Sequence, residues 1–88
     1  MAKTFAELEA QEAVTPAEFM ETLEHYAANG VHISAKAIIR LMHRVSLTSE
    51  QKAKAHQCLV AGCRCQERKG RRRLADEYGA VATLVVLS

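Results

Sequence analysis

Apolar side chains recur at helical spacing along most of this chain. Phe19, Leu23, Tyr26 and Ala27 stand at i, i+4, i+7 and i+8, which gathers them on one face of a helix. Thr15-Pro16-Ala17-Glu18 precedes them with an N-cap, a proline at the first helical position and a capping-box glutamate. Asn29-Gly30 follows as a stop, so the spacing predicts a helix over about 16–28. Ser34 is a second cap. Ala35, Ile38, Ile39, Leu41, Met42 and Val45 then predict a helix over 35–45. Thr48 or Ser49 caps a third, over 50–68, with Glu50 in its favourable first turn and an Ala55-Leu59-Cys63 stripe. Gly62 lies inside that helix. It costs up to about 1 kcal/mol relative to alanine, which points to a close helix contact there.

The two ends of the chain are less determinate. Phe5–Ala13 reads as a short acidic helix, and residues 1–14 as an N-terminal segment that could be loosely attached. Residues 71–78 can form a fourth helix. Beyond Gly79, Ala80–Leu87 is apolar on both faces and rich in β-branched side chains, so 80–87 reads equally as a buried terminal helix or a short strand. A lone strand has nothing to pair with, and in that form a second copy would supply the partner, giving a homodimer through 80–87. The expected fold class is therefore all-α: one domain over 1–88, a small bundle of three to four short helices.

Length and composition narrow the function. Eighty-eight residues with 49% apolar content and a net charge of +2 describe a folded domain rather than a disordered one. Fifteen of the apolar residues are alanine, so the core is thin. No run approaches the roughly 20 apolar residues that span a bilayer, and the N-terminus lacks the apolar region of a secretory signal. Three cysteines within eight residues, Cys58, Cys63 and Cys65, make a poor disulfide framework, so a reducing, cytoplasmic setting is expected. No phosphate-cradling glycine loop or nucleophile elbow is present, and the chain reads as no enzyme.

His56, Cys58, Cys63 and Cys65 are the residue types that bind zinc. On one helix, however, His56/Cys63 and Cys58/Cys65 form two pairs that point roughly 200° apart, so four ligands do not converge. Cys58 and Cys63 read as small core residues and Cys65 as the more exposed thiol. No metal or cofactor is expected.

Charge is divided along the chain. Residues 1–29 carry one lysine against six glutamates, a net of −5, and residues 30–88 carry eleven cations against four acids, a net of +7. The densest feature is Arg64-Cys65-Gln66-Glu67-Arg68-Lys69-Gly70-Arg71-Arg72-Arg73, with six cations and one acid. Arg64, Arg68, Lys69, Arg71, Arg72 and Arg73 are the candidate partner-binding residues, with an acidic protein surface as the first expectation. The plainer alternative is a solvated helix end that cancels the carbonyl dipole and meets the acidic helix 16–28. No aromatic residue interleaves the arginines, which disfavours a single-strand stacking platform.

A second reading comes from His25 to Met42. Its order of helix, Asn29-Gly30, turn, Ser34 cap and helix resembles the homeodomain-like helix-turn-helix segments of transposases and repressors. That resemblance implies double-stranded DNA as the partner. Helix 35–45 would then be the recognition helix, with Ser34, Lys36, Arg40, His43 and Arg44 facing the duplex and segment 64–73 adding phosphate contacts. The first reading is a small bacterial- or phage-type regulator, adaptor or inhibitor that works by docking on another protein.

Overall fold

Hydroxyl side chains begin four of the five helices in the computed structural model, which describes residues 3–87. Thr4 caps α1 (Phe5–Ala10), Thr15 caps α2 (Pro16–Asn29), Ser34 caps α3 (Ala35–Met42) and Thr48 caps α4 (Ser49–Arg68). Three of these are full capping boxes, closed by Glu7, Glu18 and Gln51. The fifth helix, α5 (Arg72–Leu87), starts from a tight turn at Gly70-Arg71.

The all-helical expectation holds, and the helix count is corrected. Residues 71–78 and 80–87 are parts of one helix, and α5 runs straight through Gly79. Tyr78, Val81, Ala82 and Val85 fall at helical spacing and are all buried, so tertiary burial outweighs the β preference of the valines. Residues 80–87 therefore do not take the strand form. Helix 35–45 ends at Met42: the Arg44 N–H turns back to the Leu41 carbonyl at 2.9 Å. The N-terminal helix stops at Ala10, because Gln11 is extended.

The described part of segment 1–14 contributes side chains to the core. Phe5, Leu8 and Val14 are buried. Phe5 packs at a tilt 4.3 Å from the Tyr26 ring and lies 6.2 Å from Phe19, centroid to centroid. The Phe5 N–H donates to the Tyr26 hydroxyl at 3.1 Å, which satisfies an otherwise orphan donor at the start of α1.

Helices α4 and α5 form a hairpin that carries the largest helix contact; α2 packs on α4, and α1 and α3 pack on each other, with α3 also on α5. Two glycines shape this frame. Gly30 ends α2 at φ 62°, and a Cβ there would stand 2.5 Å from the Gln66 amide nitrogen. At Gly62 an added Cβ would lie 3.3 Å from the Ala27 Cβ, the close α2–α4 approach that the sequence pointed to.

Candidate interaction surface

The turn between α4 and α5 exists because Gly70 adopts φ 76°, which lets the Arg71 N–H reach the Gln66 carbonyl at 2.9 Å. This reversal brings two runs of cations to one corner. Arg64 and Arg68 stand one turn apart on α4, Lys69 follows as its C-cap, and Arg71, Arg72 and Arg73 open α5. All six are exposed. Among the described residues none of them forms an ion pair or a side-chain hydrogen bond.

The acidic segment does not neutralise this corner. Its own ion pairs are made elsewhere: Lys3 with Glu18 at 2.9 Å, Arg40 with Glu9 at 3.0 Å and Lys54 with Glu24 at 4.0 Å. Lys3, backed by the Thr15 N–H, the Gln11 amide and the Thr15 hydroxyl, holds the Glu18 carboxyl down at about 2.

The dipoles of the two helices act on the cations in opposite ways. Arg68 and Lys69 sit at the C-terminus of α4, where positive charge is favoured. Arg72 and Arg73 sit in the first turn of α5, where it is disfavoured. Helices α1, α2 and α4 each carry a glutamate in that turn, whereas α3 and α5 carry no acid there. Nearby carboxylates give the corner a mixed character. Glu67 and Asp76 line a cleft with Arg72, and Glu77 lines another with Arg71, Arg72 and Arg73.

The residues of the helix-turn-helix reading are placed differently. Ser34 caps α3 through the Ala37 N–H at 3.4 Å. Arg40 grips Glu9 through two nitrogens, at 3.0 and 3.4 Å. Arg44 donates to the backbone carbonyls of Glu9 at 2.9 Å, Glu12 at 3.2 Å and Gln11. Among the described residues, Lys36 and His43 have no such side-chain contact, and His43 is the C-cap residue. The two arginines bind the α1–α2 connection to α3, a job that sequence reading did not assign to them. Their partners lie more than thirty residues away, and no local pattern signals that pairing.

The cysteines and His56 do not converge. Among the described residues no three His, Cys, Asp or Glu side chains are placed to hold a metal ion. His56 donates from Nδ1 to the Ala82 carbonyl at 3.0 Å, tying α4 to α5. Cys63 donates to the Glu67 carboxylate at 3.4 Å. All three thiols are half-buried; Cys58 and Cys63 pack against the edge of the core, and Cys65 is not among the residues that do. Burial is the main cause that pushes the Cys58 and Cys63 thiols up from their ordinary range and keeps them protonated. Among the described residues no helix is long and apolar enough to cross a membrane.

Comparison of the chain with protein-family models, curated proteins and solved structures finds no significant match.

Proposed function

We propose that this chain is a small non-enzymatic regulator or adaptor, of bacterial or phage type, that acts by docking the α4–α5 corner onto an acidic surface of another protein. One observation carries the reading: Arg64, Arg68, Lys69, Arg71, Arg72 and Arg73 are exposed together with no internal counterion among the described residues. Arginines in the first turn of α5 work against the helix dipole, and departures of this kind from local rules concentrate at functional sites. Arginine also suits planar, bidentate contact with carboxylates. The interspersed Glu67, Asp76 and Glu77 fit a partner surface of mixed sign better than a uniform phosphate rail. The duplex-DNA reading is weakened by Arg40 and Arg44, which are spent on contacts within the chain.

The test pairs two measurements on the wild type and on an Arg71→Glu, Arg72→Glu, Arg73→Glu variant. The first is capture of a partner from bacterial extract at about 50 and 200 mM salt; the second is anisotropy of a labelled random duplex at the same two concentrations. The reading expects a captured protein that is released by salt and lost in the variant, with no duplex binding. Micromolar duplex binding that weakens steeply with salt and vanishes in the variant would transfer the corner to nucleic acid. Capture that ignores the charge reversal would remove the corner from the function altogether.

A further inference from the structure

We infer that the end of the molecule formed by α3 and the last turns of α5 is a two-fold interface between two copies of this chain. The inference does not depend on the basic corner. Of the four large apolar side chains that stand exposed among the described residues, three lie at this end: Ile39 at 41%, Val86 at 54% and Leu87 at 78%. Half-buried Met42 and Leu84 join them. Ile39, Met42, Leu84 and Leu87 flank a groove of about 430 Å³ along α3, and Val86 and Leu87 wall a second, of about 640 Å³, along α4. Leu87 lines both, so a protruding side chain stands directly beside the space that could receive its twin. Adjacent knob and hole suit an isologous contact, in which each copy gives and takes the same residue.

Charge selects a second copy as the occupant. A two-fold contact brings each surface against itself. Six unpaired arginines and lysines at the α4–α5 corner cannot meet their own image without repulsion, nor can the exposed glutamates of α1 and α2. Among the described residues, the groove between α3 and α5 is lined by no carboxylate, lysine or arginine, and its one ionisable residue is His43. It is the apolar, charge-poor face on which two identical surfaces can close. With so thin a core, burying Ile39, Val86 and Leu87 against a twin also supplies apolar area that the single chain leaves in water. In a dimer built this way, the two basic corners, at the opposite end of α5, remain open to a partner.

Sedimentation equilibrium of the full chain over a wide concentration range tests the inference. The expected mass tends toward twice 9.7 kDa, with little dependence on salt. Leu87→Asp and Ile39→Asp should each weaken association roughly tenfold or more while leaving the helical circular dichroism intact. Val31→Asp, at an exposed apolar residue outside both grooves, should leave association unchanged. A chain that stays at 9.7 kDa up to millimolar concentration overturns the proposal. So does a dimer that dissolves in salt or in Arg72→Glu but survives Leu87→Asp, since that contact would be made by the basic corner.

Discussion

The hydroxyl of Tyr78 on α5 lies 2.8 Å from the backbone carbonyl of Tyr26 on α2, and 2.5 Å from that of Val31. One side chain, 52 residues along the chain, thereby reinforces the C-terminal end of α2 that Gly30 caps. The Val31 N–H reaches the same Tyr26 carbonyl at 3.2 Å, so the Gly30 turn and Tyr78 converge on one acceptor. At its other end, the Tyr26 side chain accepts from the Phe5 N–H, so α1, α2 and α5 are joined through this residue. Tyr78→Phe keeps the ring and removes the donor to both carbonyls. It should lower stability by about 1–3 kcal/mol with the helical content intact, as read from urea unfolding.

The same tyrosine sets an alkaline limit. Burial, above all, pushes the Tyr78 hydroxyl from its ordinary value of 10.0 up to about 12. The unfolded chain therefore loses this proton at lower pH than the folded one. The stabilisation is complete below pH 10 and is lost as pH rises toward 12. Thermal melts across that interval should show a decline that is shallower in Tyr78→Phe.

At the acid end the sign reverses. With its carboxyl held at about 2 against an ordinary 4.5, Glu18 contributes stability above pH 4.5 that fades as pH falls toward 2. Glu18→Gln retains an acceptor for the capping box but not the charge that Lys3 meets. Its stability should vary less over this range than that of the wild type, as measured by circular dichroism during acid titration. A variant that melts in acid just as the wild type does would show that Lys3 is not held there in solution.

Glycines 30 and 70 share a left-handed backbone but differ in their surroundings. Gly70 has open space where a Cβ would be, while Gly30 faces the buried Gln66 side chain. Gly70→Ala should cost only the backbone penalty, about 1–2 kcal/mol. Gly30→Ala should cost more, because Gln66 must also move. Urea unfolding of the two variants checks the order, and adding Gln66→Ala to Gly30→Ala should recover part of the difference.

Helix α2 is legible in the sequence because its start, its stripe and its stop are all local: Thr15-Pro16, the Phe19-Leu23-Ala27 face and Asn29-Gly30. Helix α5 is not. Gly79 and the run from Val81 to Val86 are locally indistinguishable from a turn and a strand, and only the burial of Tyr78, Val81 and Val85 against the rest of the core makes the helix continuous. The basic corner is legible for a related reason, since its cations are nearly consecutive and a single turn at Gly70 brings them together. What sequence could not reveal is which arginines are already in use. Arg40 and Arg44 look as free as Arg68 and Arg72 until the α1–α2 connection folds over α3.

That distinction yields the prediction that bears most directly on function. Arg44 binds three backbone carbonyls in residues 9–12, whereas Arg40 makes one partly exposed carboxylate pair. Exposed ion pairs contribute up to about 1 kcal/mol, whereas buried or multiply bonded guanidinium contacts contribute more. Arg44→Ala should therefore destabilise the domain more than Arg40→Ala. It should also speed amide hydrogen exchange locally, over residues 5–14, before any effect on the α4–α5 hairpin, because that segment is what Arg44 ties down. Replacing Arg68 or Arg72, whose side chains make no hydrogen bond or ion pair among the described residues, should leave both exchange and melting nearly unchanged. If Arg44→Ala instead leaves residues 5–14 fully protected, its side chain is free after all, and α3 regains the exposed arginines that a DNA-facing helix requires.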